Sequence, residues 1–176
     1  AMNRPARLYW DDVASAYQRS QHISCTEFHY GPLIPGDREY GLLPPRLDGW
    51  RCLECGCGAA QNSIVLAARG AQCTAMDISY RQLRRGQTLA RRHGVAIRLV
   101  LADLESLPLA ATAAFDLVHS VYALPFLRHP QAAVAAMARL LRPGGVLVLS
   151  TAHPLAAGEW LTVDGEPGMF LPSYFA

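Results

Sequence analysis

A chain of 176 residues, 51% hydrophobic and only 17% charged, is sized for one domain with a substantial core, which excludes a disordered polypeptide. The formal net charge of +2 is small and spread along the sequence, so composition gives no electrostatic case for nucleic acid or an anionic membrane as partner. All 16 basic residues are arginine, which excludes both a P-loop lysine and a Schiff-base lysine.

No apolar run approaches the roughly 20 residues of a membrane span, and the N-terminal stretch lacks a signal-peptide h-region, so the expectation is a cytoplasmic protein. Ala1 before Met2 reads as a cloning remnant. The five cysteines then read as reduced thiols. Cys52, Cys55 and Cys57 have a metal-like spacing, but no second ligand cluster repeats it, and the reading is three small buried side chains with no metal.

Taken in order, Trp10, Val13 and Tyr17 recur at helical spacing behind Asp11 and Asp12, which suit a helix start. A turn-rich loop with aromatics follows from Phe28 to Asp37. Arg51 to Ala60 then organises the chain: a short apolar run ends in Glu54 and breaks into Gly56 and Gly58, a buried strand entering a tight turn. Ile64, Val65 and Ala68 have helical spacing, with Gly70 at the C′ position. Gln72 to Met76 is a second strand ending at Asp77, after which Ser79 caps a helix with Leu83, Leu89 and Ala90 inward and an exposed arginine stripe outward. Strands are predicted over Ala96–Leu101, Phe115–Ser120 and Val146–Thr151, each buried on both faces. A helix starts at Pro130 and turns Val134, Met137, Ala138 and Leu141 to the sheet. Residues 158–168 read as a polar and aromatic hairpin or loop. Alternating strands and helices imply an α/β fold with a parallel sheet, and strand, glycine turn and helix form the opening unit of a Rossmann-like nucleotide site.

A dinucleotide turn wants G-x-G-x-x-G, and counting from Gly56 the third glycine's place holds Gln61, which argues against a pyrophosphate cradle and an NAD-dependent oxidoreductase. Asp77 stands at the distance of a ribose-binding acid. With Glu54-Cys55-Gly56-Cys57-Gly58 as an acid followed by G-x-G, Met76-Asp77-Ile78-Ser79, Ala102-Asp103-Leu104, Phe115-Asp116-Leu117-Val118 and Leu141-Arg142-Pro143-Gly144-Gly145 in that order, the chain resembles class I S-adenosylmethionine (SAM)-dependent methyltransferases from about Trp10 to Pro154. The family often has a third glycine where Ala60 stands.

The resemblance implies a doubly wound Rossmann-like sheet at 49–154, an N-terminal helix and lid loop at 1–48, and a partial substrate-side hairpin at 155–176, two strands short of the family fold. It implies SAM as cofactor, S-adenosylhomocysteine as product, and a small-molecule acceptor; the open edge of the fifth strand leads to the expectation of a piece of a longer enzyme first, and otherwise of an edge covered by the tail or in a homodimer. Tyr17, Phe28 and Tyr30 become lid residues. The motif residues Gly56, Cys57 and Gly58 form the cofactor turn, and Glu54 faces the methionine ammonium. Asp77 takes the ribose hydroxyls, Asp103 the adenine amine between Ile78 and Leu104, and Ser120 or Val121 offers a backbone carbonyl to the methionine amine. N-P-P-Y is replaced by Ser120-Val121-Tyr122-Ala123, against base methylation. His153 is the first candidate base and His119 the second. A SAM-binding scaffold without catalysis is the competing function.

Overall fold

The computed structural model describes residues 3–31, 34–107, 113–152, 159–163 and 166–170, the last two by backbone course. In chain order the helices are α1 (Arg4–Ser20), α2 (Asp37–Tyr40), α3 (Gln61–Ala68), α4 (Tyr80–Arg92) and α5 (Pro130–Leu140). The strands are β1 (Arg51–Cys55), β2 (Gln72–Asp77), β3 (Ile97–Leu101), β4 (Phe115–Val121), β5 (Leu141–Ser150), β6 (Glu159–Val163) and β7 (Glu166–Phe170). The first five strands form one parallel sheet in the order β3-β2-β1-β4-β5, the doubly wound arrangement expected. Strand order reverses between β1 and β4, so a crevice opens beyond their carboxyl ends. β6 and β7 pair antiparallel in a separate sheet, the hairpin expected near 158–168.

The sheet buries a layer on each face. Cys52, Val65, Leu66 and Leu117 pack with Phe28, Tyr30 and Leu47 on one side, and Leu53, Cys55, Met76 and Val118 with Ala133, Met137 and Leu140 on the other. Fully burying side chains of this size contributes ~1.5–3 kcal/mol each. Cys52, Cys55 and Cys57 fall into three different apolar clusters, the packing role expected of them.

Five local expectations are corrected. The first helix starts at Arg4 with Asn3 as N-cap, its Oδ1 accepting from the Ala6 N–H at 3.2 Å; Asp11 and Asp12 lie mid-helix. In α5 the sheet-facing residues are Ala133, Met137 and Leu140; Ala138 is exposed and Leu141 already belongs to β5. On α3, Ile64 and Val65 are buried but Ala68 is exposed. The last parallel strand starts at Leu141, where Leu141 to Val146 oppose only Phe115 to Leu117, and Gly144 at φ +77° absorbs the irregularity. The outer strands β3 and β5 are also partly exposed, because each has a neighbour on one side only. Among the described residues no helix is long and apolar enough to cross a membrane.

Candidate functional site

Each strand of the crevice ends in a turn that presents polar backbone or a carboxylate. After β1, the N–H groups of Gly56 and Cys57 both donate to the Met76 carbonyl at 2.9 Å, fastening the glycine turn to the end of β2. Gly56 has φ +73°, and a Cβ there would meet the Ala123 Cβ at 2.3 Å, so only glycine fits against the loop after β4. The Gly58 N–H donates to Asp77 Oδ2 at 2.7 Å, and the Ser79 N–H to Asp77 Oδ1 at 2.8 Å. Burial lifts the Asp77 carboxyl to about 6, against the lowering pull of those backbone donors. Each of its oxygens keeps a lone pair for a ligand hydroxyl.

After β3, Asp103 Oδ1 accepts from the Glu105 N–H at 2.9 Å and Oδ2 from the Asn3 N–H at 2.7 Å, so the start of α1 is tied to this acid. Helix α1 roofs the crevice. Trp10 meets Phe126 edge-on at 4.8 Å, Asp11 Oδ1 accepts from the Ser79 hydroxyl and the Arg81 N–H at the start of α4, and a buried amide chain runs from Gln61 through Gln18 to Gln82. Gln61, at the place of a dinucleotide glycine, is thus committed to holding the roof. Ala60 takes φ +58° and is the N-cap of α3, adopting the left-handed conformation a glycine would take more cheaply.

These elements enclose a cavity of about 260 Å³. Of the predicted residues, Tyr17, Gly56, Gly58, Asp77, Ile78, Asp103, Leu104 and Val121 line it. Four others do not reach it. Glu54 is buried behind the turn, its Oε2 accepting from the Ser63 N–H at 2.9 Å and hydroxyl at 2.5 Å; burial raises it to about 7. Its partner is the first turn of α3. Cys57 is buried, with burial pushing its thiol far up. The Ser120 hydroxyl donates to the Cys55 carbonyl at 2.8 Å, clamping β1 to β4. Tyr30 donates to Asp37 at 2.7 Å and packs on Phe28, so both lid aromatics of that loop are core residues. His119 is fully buried with both ring nitrogens unbonded, and burial lowers it to about 3. It lines neither this cavity nor the one that adjoins it, and so is not placed to act as a base at either. His153 lies outside the described residues.

The sequence reading missed Trp10, Gln21, Gln82, Tyr122 and Phe126 as lining residues. Trp10 carried a signal, its helical spacing with Tyr17; Tyr122 carried none, although its φ of +59° marks a strained strand end. A second cavity of about 250 Å³ adjoins the first and shares Tyr17, Gln21, Val121 and Tyr122 with it.

The methyltransferase domain family matches residues 53–149, which takes in the glycine turn, Glu54, Asp77, Asp103 and nearly all of the five parallel strands. The chain belongs to the SAM-dependent methyltransferases. It is similar to a malonyl-[acyl-carrier protein] O-methyltransferase of Enterobacter lignolyticus, 38% identical over 121 residues, 66% of this chain and 46% of that protein. It is also similar to a ubiquinone biosynthesis O-methyltransferase of Xylella fastidiosa, 30% identical over 168 residues, 89% of this chain and 68% of that one. Among solved structures, an S-adenosylmethionine-dependent methyltransferase from Mesorhizobium loti superposes with a TM-score of 0.64 at 27% identity, covering 77% of this chain and 62% of that one. The chain therefore spans about half to two thirds of the length of these relatives.

This methyltransferase domain takes SAM, and the crevice fits it. Two carboxylates at successive strand ends, Asp77 and Asp103, keep acceptor capacity beyond their backbone donors, and Ile78, Leu104 and the glycines of the turn line the same cavity.

Proposed function

We propose that this chain transfers the methyl group of SAM to an oxygen of a small-molecule acceptor by in-line displacement. The observation that carries the reading is the single crevice in which the turn after β1, Asp77 after β2, Asp103 after β3 and Val121 after β4 meet under one roof helix. The names of the relatives, both O-methyltransferases, support oxygen as the methylated atom. SAM supplies an activated methyl carbon, so the protein's own contribution is placement. Asp77 binds the ribose, Asp103 exchanges its Asn3 partner for the adenine amine, Ile78 and Leu104 hold the ring, and Gly56, Gly58 and Val121 bind the methionine end. Tyr17 covers it, at the border with the second cavity. Such positioning supplies several kcal/mol of barrier reduction. Glu54, Cys57 and Ser120 support the turn from behind.

The reading includes no nucleic-acid or membrane partner, a cytoplasmic setting consistent with five free cysteines, and pairing of two copies over the β5 edge, where Val146 and Leu149 are exposed. Calorimetry with S-adenosylhomocysteine tests the site, and transfer of labelled methyl from SAM to a panel of hydroxyl compounds tests the reaction. Absence of heat at high micromolar ligand from a folded chain would sink the proposal. Binding without transfer across the panel would leave the scaffold reading in its place.

A further inference from the structure

The second cavity lies beside the first and shares its Tyr17–Tyr122 wall. Its remaining lining includes His22, Glu27 and His29, and among the described residues that line it there is no arginine. A carboxylate acceptor would have no cation to meet there, whereas a neutral hydroxyl compound would find acceptors for its proton. His29 is the best placed of them. Its backbone is held on both sides by the buried Asn62 amide, which accepts from the His29 N–H at 2.9 Å and donates to its carbonyl at 3.0 Å. A bridge to Gly36 fixes the same residue from the other strand of the loop. These bonds use only the backbone; among the described residues the imidazole has no hydrogen-bond partner, and His29 is one of the residues that line the cavity. His22 is exposed with its Nδ1 on the Ser20 carbonyl, and Glu27 Oε1 accepts from the Arg38 N–H.

Resting on the methyltransferase reading, we propose that this second cavity is the acceptor pocket, that it takes a small phenol or enol, and that His29 is the catalytic base. The hydroxyl proton passes to the imidazole, an oxygen lone pair forms the O–CH3 bond, and the CH3–S bond breaks with its electron pair returning to sulfur. The proton then leaves the imidazolium for solvent. Burial holds the His29 imidazole below its ordinary range and so neutral at physiological pH. The titratable groups that line the cavity with it are Glu27 and His22 from its own loop, Tyr17 from α1 and Tyr122 just past β4, and the neutral His119 of β4 lies near it.

The probe is 4-nitrocatechol, whose anion has a distinct visible band, added to the S-adenosylhomocysteine complex of the chain at a pH where the free probe is mostly protonated. Binding is expected to generate the anion band, and His29→Gln to abolish it while S-adenosylhomocysteine affinity stays within about twofold. In the wild-type chain, the His29 imidazole resonances are expected to move to the charged form as the probe binds. An anion band of equal size in His29→Gln, or unmoved resonances in wild type, overturns the base assignment. A complex that binds S-adenosylhomocysteine but not the probe overturns the pocket assignment. Failure to bind S-adenosylhomocysteine is a separate result, and removes the underlying methyltransferase reading.

Discussion

Replacing Asp77 by Asn separates what this carboxylate does for the ligand from what it does for the fold. Hydrogen bonds to a charged acceptor are worth about 1.5–3 kcal/mol and to a neutral one about 0.5–1.5, so neutralising the acceptor of two ribose hydroxyls costs ~2 kcal/mol. That is a ~30-fold loss of S-adenosylhomocysteine affinity. The fold responds differently. Burial raises the Asp77 carboxyl from 3.8 to about 6, so keeping it ionised above that pH costs ~3 kcal/mol of stability, which Asn relieves. Against this, Asn turns an amide N–H toward one of the two backbone donors, Gly58 or Ser79, and an orphaned donor costs about 1–3 kcal/mol. Because the folded carboxyl lies above its unfolded value, its stabilising contribution is complete below about pH 4 and lost as pH rises through 6. The variant should therefore melt at or above the wild-type temperature at pH 8, lose that advantage at pH 4, and bind about 30-fold more weakly by calorimetry. Unchanged affinity in a folded variant would refute the ribose assignment, and a large drop in melting temperature at pH 8 would refute the reasoning about the buried charge.

Gly56→Ala should lower stability by ~2 kcal/mol or more and weaken S-adenosylhomocysteine binding, because the new Cβ overlaps Ala123 at positive φ; denaturant unfolding and calorimetry check both. His119→Phe removes two unbonded buried nitrogens beside Phe28 and should stabilise the chain by ~1–3 kcal/mol without changing S-adenosylhomocysteine affinity. Since folding depresses the His119 pKa to about 3, wild-type stability contributed by its neutral form is lost as pH falls from 6.5 toward 3, and this variant should resist acid better in that window by circular dichroism. Trp10→Ala opens the roof at Phe126 and should reduce S-adenosylhomocysteine affinity about fivefold, while leaving the melting temperature of the ligand-free chain within a few degrees. A variant that binds as tightly as wild type would show that α1 does not close on the cofactor.

What was legible in the sequence is what the backbone of a strand and its turn determine locally. Apolar runs of five to seven residues found β1, β2, β3 and β4 to within a residue or so, because a parallel strand covered on both faces needs continuous apolar side chains. The start of β5 was missed because Leu141-Arg142-Pro143-Gly144-Gly145 has the composition of a turn, and only pairing with Phe115 draws Leu141 into the sheet. The face of α5 was set by how that short Ala-rich helix lies over β4 and β5. A run with alanine at so many positions has several nearly equal apolar faces, so the periodicity could not choose among them.

The site divides along the same line. Gly56, Gly58, Asp77 and Asp103 were legible because each sits at a strand end, where topology alone directs it into the crevice. Glu54 has the same motif credentials, yet its side chain points to the face where α3 packs, and Ser63 captures it nine residues later. The roof was readable as a helix, and through the family resemblance as a lid bearing Tyr17, but the bonds that hold it down were not, because they join residues far apart: Asn3 to Asp103, Asp11 to Ser79, and Gln18 to Gln82. The choice of base turns on the same kind of contact. His119, the second candidate base of the sequence, and His29, which the sequence did not single out, sit within one small neighbourhood, linked through Phe28. Asn62, reaching back 33 residues, grips the backbone of His29, which lines the second cavity, while His119 is fully buried against Phe28. The residue free to exchange a proton with an acceptor is thus selected by how the loop is anchored to α3, a property of the folded chain and of no single motif.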